Sequence, residues 1–553
     1  MLTFPLEPDR FSGEPGPTHP ALEPAPLFPL QGPVSVAHVE VELLDLTELT
    51  TRAAQCLQKQ RYGPIWRSQF GPFQLVNVAC PRLIAQVIRQ EGQYPVRVEL
   101  PHWKEYRDLR GQAYGLHVDS GPEWHRIRSV LNPKMLRPSE VSSFAPVVQT
   151  VVDDLLVRLE LLRRRSPDGA TVPDLAAELY KFGFEADVLS PAGISAVLFE
   201  TRLGCLREEI PADTLRFIAA VNDMLTLSDQ VVLLPRWSRR LLPFWGRFVQ
   251  AWDDLYGVAQ KLVDRRMAEL AAQPGGGGGE GMFLTYLLSS DRLSRGEVYI
   301  SVTELMLGGV DTVRSAARHQ DAWSATSNTL SWALYHLARD RPAQSRLQAE
   351  VDAVCPDRQP PTTQHLARMP YLRAVVKETL RLYPVVPGNG RLVSENEVVV
   401  DEFWFPKKVE GRAAASVCPS VRPSVRPSVR LSVRLSTLFH LCHYAASHDE
   451  AEFAAPEEFL PQRWLQQESP SSHSDRATPG FYRHHPYSFI PFGVGVRGCV
   501  GKRLAEMEMH LALSRLMQHY DVHPEVGSPL VEPKTRTLLI PSRPINLRFL
   551  PRA

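Results

Sequence analysis

A single cysteine in a glycine-rich segment, directly before a predicted helix, is the strongest constraint that this sequence places on its fold. Residues 492–501 read Phe-Gly-Val-Gly-Val-Arg-Gly-Cys-Val-Gly, and apolar spacing predicts a helix over Gly501–His519. Free N–H groups at the start of a helix stabilise negative charge on a nearby sulfur, and glycines let the backbone approach a large flat ligand closely. The segment therefore predicts a turn that presents Cys499 to such a ligand, whereas a buried cysteine in a tight turn is the structural alternative.

Composition excludes several other classes of protein. The chain of 553 residues carries 62 Lys and Arg against 61 Asp and Glu, which argues against nucleic-acid binding driven by net charge. Its hydrophobic content of 44% is typical of a globular protein. The seven cysteines form no CxxC pair, so a disulfide scaffold is not expected and a reducing compartment is the default. No apolar run is long enough to predict a membrane-spanning helix.

Apolar periodicity predicts one large domain over residues 44–553 that is mainly α-helical with a minor β component. Alternating residues predict a strand pair over 65–78, and further short strands are expected around 391–406, at 437–446 and toward the C-terminus. Besides the helix after the cysteine, helices are predicted at Pro81–Glu91, Glu123–Leu131, Val147–Arg165, Asp174–Leu198, Trp245–Ala271, Val298–Gly309, Ser327–Ala338 and Tyr371–Tyr383.

The first 43 residues differ in composition from the rest of the chain. Nine of the 48 prolines fall within residues 1–40, where Arg10 is the only Lys or Arg. A mitochondrial transit peptide would be rich in arginine, and a secretory signal peptide would carry an apolar run. We therefore expect residues 1–43 to be disordered or foreign to the fold.

The cysteine segment matches the Phe-x-x-Gly-x-Arg-x-Cys-x-Gly pattern of the cytochrome P-450 family, the haem-thiolate monooxygenases, which the chain resembles over about residues 60–550. The resemblance implies the cytochrome P-450 fold and haem b as cofactor, with Cys499 as axial ligand of the iron and Phe492 beside the haem. It also implies insertion of one oxygen atom of dioxygen into an unactivated C–H bond, with two electrons and two protons.

A Glu-x-x-Arg motif at Glu378 and Arg381 places both charges on one face of a predicted helix. Alone, such a motif is usually a solvated surface pair. In the family, the pair is structural and is locked by an arginine in the downstream coil, which Arg463 matches here.

Other family features give the remaining cofactor-binding and catalytic residues. The resemblance assigns Trp124 and Arg128, together with Arg391 and Arg497, to the haem propionates. Leu307-Gly-Gly-Val-Asp-Thr312 resembles the oxygen-binding helix. An acid beside a threonine hydroxyl can pass protons inward, so a catalytic proton-delivery role is expected for Asp311 and Thr312, although an Asp-Thr pair alone is more often a helix cap.

Longer stretches resemble the mitochondrial branch of the family, which includes sterol 27-hydroxylase and the vitamin D hydroxylases. Two of these stretches, Arg89–Arg97 and Trp103–Asp108, are most similar to sterol 27-hydroxylase, which implies hydroxylation of a sterol-type substrate. The vitamin D hydroxylases and a retinoid desaturase remain alternatives. The stretches are Arg89–Arg97, Trp103–Asp108, Lys377–Pro387 and His443–Ser447.

The mitochondrial branch implies further partners and a location on the matrix side of the mitochondrial inner membrane. Its members take electrons from an acidic ferredoxin of the adrenodoxin type with an NADPH-dependent reductase, which requires a basic docking patch. Arg373 and Lys377 lie one helical turn apart, and Lys502-Arg503 follows the cysteine. These four residues are the candidates for the ferredoxin-docking patch, and ordinary solvated surface charge is the alternative. Trp, Phe, Leu and Arg are mixed over Leu233–Trp245, which favours a peripheral membrane contact, whereas a buried helix corner is the alternative.

Three segments interrupt the resemblance, at residues 186–192, 313–325 and 409–436. Thirteen extra residues would rotate a continuous helix by about 220°, so 313–325 would separate the two halves of the oxygen-binding helix. Residues 409–436 contain Ser-Val-Arg-Pro repeated with period four, which favours translated intron sequence over a disordered surface insertion. Two competing functions follow, namely a haem-binding but inactive product of mis-spliced sequence and, from the repeat alone, a basic interaction module.

Overall fold

Helices form most of the protein. The computed structural model describes residues 37–39, 52–70, 73–97, 100–188, 211–234, 236–272, 283–310, 325–392, 397–405, 438–465, 484–536 and 538–552. The α-helices are α1 (Arg52–Tyr62), α2 (Pro81–Arg89), α3 (Pro101–Arg110), α4 (Gly121–Leu136), α5 (Pro138–Ser142), α6 (Ala145–Arg165), α7 (Leu175–Val188), α8 (Ala212–Leu233), α9 (Arg236–Arg239), α10 (Pro243–Ala272), α11 (Phe283–Leu288), α12 (Arg295–Val310), α13 (Ala325–Arg339), α14 (Arg341–Val354), α15 (Thr363–Ala367), α16 (Pro370–Leu382), α17 (His443–Ser447) and α18 (Lys502–His519). Over these ranges, no helix combines the length and the apolar character needed to span a membrane.

The strands form one larger sheet and several small ones. They are β1 (Ala37–Val39), β2 (Ile65–Phe70), β3 (Phe73–Val78), β4 (Thr171–Val172), β5 (Asn389–Leu392), β6 (Val398–Val400), β7 (Phe403–Phe405), β8 (Leu438–Leu441), β9 (Tyr520–Pro524), β10 (Pro533–Arg536), β11 (Leu538–Pro541) and β12 (Leu547–Pro551). The larger sheet has the order β1-β2-β3-β8-β5. In it, β2–β3 and β5–β8 pair antiparallel, whereas β1–β2 and β3–β8 pair parallel.

One apolar core joins the long helices and positions the cysteine loop. Both α12 and α13 pack against α7, and α10 packs along α8. α18, which follows the cysteine, is buried along most of its length and packs against α6, α13, α14 and α16. The cysteine loop is therefore attached to a helix that four other helices hold in place.

Most of the sequence-predicted elements are present, and the main differences concern helices that bury polar side chains. The expected strand pair over 65–78 and the predicted helices form, with ends shifted by a few residues except at α7, where the described helix stops at Val188. Residues 437–446, expected to be strand-like throughout, form strand β8 and then helix α17. Helices α3, α8 and α14 and the short helices α5, α9, α11 and α15 were not predicted.

Buried polar contacts account for two of the missed helices. In α14, Gln344 and Gln348 are buried, and their side-chain amides donate to the carbonyls of Val522 (2.8 Å) and Tyr520 (3.2 Å). In α3, His102, Glu105 and Arg107 are buried together with Trp103 and Tyr106. Apolar periodicity does not identify a helix whose buried face is polar, because the partners of these side chains lie far away in the sequence.

The predicted interruptions lie mostly outside the described residues. Only 186–188 of the first segment and Ala325 of the second are described, and none of 409–436. Within the N-terminal segment that was expected to be foreign to the fold, residues 37–39 form strand β1 beside β2. The sheet therefore begins before residue 44, the boundary expected from composition.

Candidate functional site

The cysteine loop is a tight turn that depends on two glycines. Gly493 and Gly495 have φ angles of +67° and +73°, a conformation that is costly for residues with a side chain. A Cβ atom at Gly495 would also lie 3.2 Å from the Glu91 carboxylate. The backbone N–H of Cys499 donates to the carbonyl of Phe492 at 2.9 Å and closes the turn.

The Cys499 side chain faces a cavity of about 350 Å³ that lies beside helix α4. Trp124, Arg128, Phe492 and Lys502 also line this cavity. The side chain is reached from the cavity but is otherwise surrounded by protein, and this burial raises the pKa of the thiol. Hydrogen bonds from the backbone N–H groups of Gly501 and Lys502, and the positive charges of Arg128 and Arg97, lower that pKa in part. The start of α18 therefore directs two amides at the sulfur, as the sequence predicts.

Arginine side chains surround the loop and hold its backbone. Arg128 donates to the carbonyl of Gly498 at 2.7 Å, and Arg391 donates to that of Val494 at 3.2 Å. Arg97 donates to the carbonyl of Arg497. The loop is thus bound from helix α4, from strand β5 and from the segment after α2.

Arg497 lies in the interior beside Trp124. Its Nε donates to the carbonyl of Pro95 at 2.6 Å, and its guanidinium carbon lies 3.5 Å from the centroid of the Trp124 ring. Both side chains are buried. Arg497 Nη2 is buried without a hydrogen-bond partner among the described residues, so this cluster has an unused donor.

Positive charge exceeds negative charge in this cluster. Arg391 forms an ion pair with Glu91, but Arg97, Arg128 and Arg497 lie close enough to one another that their charges interact unfavourably. Burial, reinforced by these neighbouring arginines, lowers the pKa of Arg497 to about 9; burial and Arg97 lower that of Arg128 to about 10. An anionic ligand would relieve this repulsion and accept the free Arg497 donor.

The structure brings together the six predicted cofactor-binding residues, whereas the two predicted catalytic residues lie outside the described part of the chain. Five of the cofactor-binding candidates lie around the cysteine loop, and the sixth, Arg391, reaches the loop through Val494. The six are Trp124, Arg128, Arg391, Phe492, Arg497 and Cys499. Asp311 and Thr312 lie outside the described residues, just beyond the end of α12 at Val310.

The three predicted structural residues form one buried network around Glu378. The Glu378 carboxylate is inaccessible to solvent and accepts hydrogen bonds from Arg381 (2.8 and 3.0 Å) and Arg463 (3.1 Å). It also accepts the backbone N–H of Leu460 at 3.0 Å and the indole N–H of Trp464 at 2.8 Å. Each carboxylate oxygen has at least two donors, so the buried charge is well compensated.

Arg381 extends this network to the coil that precedes the cysteine loop. Its guanidinium donates to the carbonyls of Ser447 (3.0 Å), Pro456 (2.6 Å) and Glu458 (3.0 Å). Arg381 therefore binds Glu378 within α16 and also fixes the backbone of a segment about 70 residues downstream.

The four candidate docking residues line one groove of about 550 Å³ on the protein surface. Arg373 and Lys377 reach it from α16, and Lys502 and Arg503 from the first turn of α18. Apolar side chains form much of the remaining lining; they include Val376, Leu380, Phe489, Ile490 and Met507. The groove adjoins the cysteine loop, because Phe492 and Val494 line it as well.

The segment Leu233–Trp245 combines exposed apolar groups with a buried ion pair. Trp237 and Leu241 are each 76% exposed. Arg239 is buried and donates to Glu105 at 2.9 Å, which attaches this segment to α3. Trp245, at the end of the segment, is buried, so the exposed apolar groups Trp237 and Leu241 lie near its centre.

Sequence reasoning missed Arg97, Glu91 and Trp464 as parts of the site. Arg97 and Glu91 lie in a stretch that was noted for its resemblance alone, and no local motif indicates that they reach the cysteine loop. Trp464 directly follows Arg463, and its position next to that arginine was the only signal for its bond to Glu378.

The fold and this site define a cytochrome P450. The sequence profile described as cytochrome P450 matches residues 43–410 and 432–549, and the chain belongs to that family of haem-thiolate monooxygenases. The match omits 411–431, which lies within the predicted interruption 409–436. A crystal structure of a cytochrome P450 (CYP102L1) shares the fold, with a TM-score of 0.68 at 21% identity over 93% of this chain and 100% of that chain.

Two groups of mitochondrial enzymes are among the similar proteins. The chain is 40% identical to mitochondrial sterol 26-hydroxylase of Oryctolagus cuniculus over 93% of its own length and 86% of that relative. It is 40% identical to the human enzyme of the same name, over 90% of the chain and 84% of the relative. It is also 40% identical to human mitochondrial 25-hydroxyvitamin D-1 alpha hydroxylase, over 89% of the chain and 86% of that relative.

Proposed function

We propose that this cytochrome P450 hydroxylates a sterol-type apolar substrate, at its side chain, with dioxygen and with electrons from a ferredoxin. The observation that carries the proposal is the 40% identity to a sterol 26-hydroxylase over 93% of the chain. Similarity over nearly the whole length, rather than over the cysteine loop alone, supports a shared class of substrate.

Haem fits the cluster around the cysteine loop. The unused Arg497 donor and the excess of positive charge suit an anionic cofactor that carries two carboxylates. We assign the iron to Cys499 and the carboxylates to Trp124, Arg128, Arg391 and Arg497. Haem bound through the Cys499 thiolate would supply the activation of dioxygen for C–H oxidation.

The chain's own groups prepare the site for that chemistry. The amides of Gly501 and Lys502 stabilise negative charge on the Cys499 sulfur. Arg128 and Arg391 hold the loop carbonyls and therefore fix the position of that sulfur. Asp311 and Thr312, outside the described residues, are proposed to deliver protons from the end of α12.

Electron supply is assigned to an acidic ferredoxin of the adrenodoxin type with its NADPH-dependent reductase. Support comes from the groove, in which Arg373, Lys377, Lys502 and Arg503 surround an apolar floor beside the cysteine loop. Complementary charge steers such partners together and is sensitive to salt.

A mitochondrial location, on the matrix side of the inner membrane, is part of the proposal. The relatives named above are mitochondrial enzymes. Exposed Trp237 and Leu241, flanked by the exposed Arg236 and Arg240, suit a peripheral contact with a membrane surface, because aromatic and aliphatic groups enter the interface while arginines meet anionic headgroups.

A secosteroid is the second candidate substrate, since the identity to 25-hydroxyvitamin D-1 alpha hydroxylase is also 40%. The remaining alternatives are a retinoid desaturase and a haem-binding but inactive product of mis-spliced sequence.

Turnover by the haem-loaded full chain with ferredoxin, reductase and NADPH tests the proposal. Cholesterol and 25-hydroxyvitamin D are supplied separately, and mass spectrometry locates the added oxygen. Side-chain hydroxylation of the sterol supports the proposal. Product from the secosteroid alone supports the second candidate. No product from either substrate, by the full chain and by a chain without residues 313–325 that both bind haem, contradicts both.

A further inference from the structure

One acid lies among the basic residues of the docking groove. Among the described residues that line it, Glu506 is the single acidic side chain. Its carboxylate lies 4.0 Å from Lys502 Nζ and 3.8 Å from Arg503 Nη1. Both cations are about half exposed, at 47% and 54%, while Glu506 is 29% exposed. The acid therefore lies beneath the two cations.

The other described residues that line the groove add no further negative charge to that of Glu506. Lys377, on α16, interacts favourably with the same carboxylate. His510, one turn further along α18, is partly buried, and burial together with Arg373 and Lys377 lowers its pKa to about 4, so its ring is neutral at pH 7. Glu506 thus partly neutralises the cations that an acidic partner would meet.

A contribution to stability does not explain this acid. Burial raises the pKa of Glu506 more than Lys502, Arg503 and Lys377 lower it. A carboxyl group whose pKa is raised on folding favours the folded state less when it is ionised, so at neutral pH its charge destabilises the protein. Exposed i,i+3 and i,i+4 ion pairs contribute little to stability in any case.

We propose that Glu506 is an internal competitor for the ferredoxin, which holds Lys502 and Arg503 until acidic side chains of the partner replace it. This inference rests on the proposed function. Its consequence is that Glu506 weakens ferredoxin binding and thereby limits the lifetime of the complex, so that one ferredoxin can leave before the next binds. Other acidic proteins with fewer or misplaced carboxylates would be unable to displace it.

The test compares Glu506→Gln with Glu269→Gln in the haem-loaded full chain. Glu269 is a matched control, because it lies on α10 within 4.0 Å of Arg265 and 3.1 Å of Arg266, at i,i−4 and i,i−3, and does not line the groove. Isothermal titration calorimetry with an adrenodoxin-type ferredoxin measures Kd at low and at physiological salt, and thermal unfolding checks that each variant folds.

The inference predicts that Glu506→Gln tightens ferredoxin binding by about two- to fivefold at low salt, since two weak surface pairs no longer compete. The salt dependence of Kd becomes steeper, Tm does not fall, and Glu269→Gln changes nothing. If a folded Glu506→Gln chain binds ferredoxin as the unaltered chain does, or more weakly, while Lys377→Gln still weakens binding, this inference is wrong and the proposed partner stands. Failure of the unaltered chain to bind ferredoxin overturns both this inference and the proposed partner.

Discussion

The guanidinium carbon of Arg497 lies 3.5 Å from the centroid of the Trp124 ring, which joins the cysteine loop to helix α4 in the interior of the protein. The ring and Pro95 hold this stacked guanidinium in one orientation, and no described residue accepts a hydrogen bond from its Nη2. Such an arrangement prepares a donor for a ligand and adds little to the stability of the protein without one.

Arg497→Gln is therefore expected to weaken haem retention more than it changes the stability of the folded chain. A hydrogen bond from a charged donor contributes about 1.5–3 kcal/mol, so the rate of haem transfer to an excess of apomyoglobin should rise about tenfold or more. Arg82→Gln is the control, because Arg82 forms an exposed ion pair with Asp401 and does not line the cavity beside the loop. Equal rates of haem transfer from the Arg497 variant and the control would show that Arg497 does not bind the cofactor.

Glu378→Ala should destabilise the protein by about 3–5 kcal/mol, because it removes the acid that compensates buried Arg381. Urea unfolding of the haem-loaded variant measures this loss. Glu269→Ala, at an exposed pair, should cost less than about 1 kcal/mol. Normal stability of a haem-loaded Glu378→Ala chain would contradict the structural role of the network.

Lys377→Gln is expected to reduce ferredoxin-supported turnover and to leave substrate binding intact. Lys377 lies in the groove with its Nζ 5.7 Å from the Trp464 ring, so the variant loses a positive charge at the docking surface. Steady-state kinetics should show a raised KM for ferredoxin that is most evident at low salt. If peroxide-driven turnover, which needs no ferredoxin, falls to the same extent, the lysine acts on folding instead.

Deletion of 313–325 is expected to raise hydroxylation activity strongly, whereas deletion of 409–436 should change it little. Both flanks of the first segment are packed in the core, since Leu307 is buried in α12 and Ser327, at the start of α13, donates to the carbonyl of Leu179 at 2.5 Å. Joining them would place Thr312 two residues before Ser327. The second segment falls between β7 and β8 in the sequence, and the closure cost of an insertion between two strands grows slowly with its length.

Turnover of the two deletion variants and of the full chain, each normalised to bound haem, measures this difference. Efficient hydroxylation by the full chain, unchanged when 313–325 is removed, would contradict the expectation. A large loss on removal of 409–436 would show that this segment has a role in the folded protein.

The cysteine loop could be predicted from sequence, whereas the surroundings of the loop could not. Glycines, an arginine and a cysteine at fixed spacing lie within ten residues, so one motif contains both the turn and the sulfur. Arg97 and Glu91, by contrast, lie about 400 residues from the loop and reach it only because sheet and helices place them there. The same limit applies to helices α3 and α14, whose buried glutamines, glutamate and arginine have distant partners.

The reduced carbon monoxide difference spectrum of the full chain and of Cys499→Ala tests most directly whether this protein is a haem-thiolate enzyme with Cys499 as its ligand. Among the described cysteines, Cys499 alone receives the amides of a helix start while facing the cavity beside Trp124 and Arg128. We predict the red-shifted band of a thiolate-ligated haem in the full chain and its loss in Cys499→Ala. A red-shifted band that persists in Cys499→Ala would contradict the assignment.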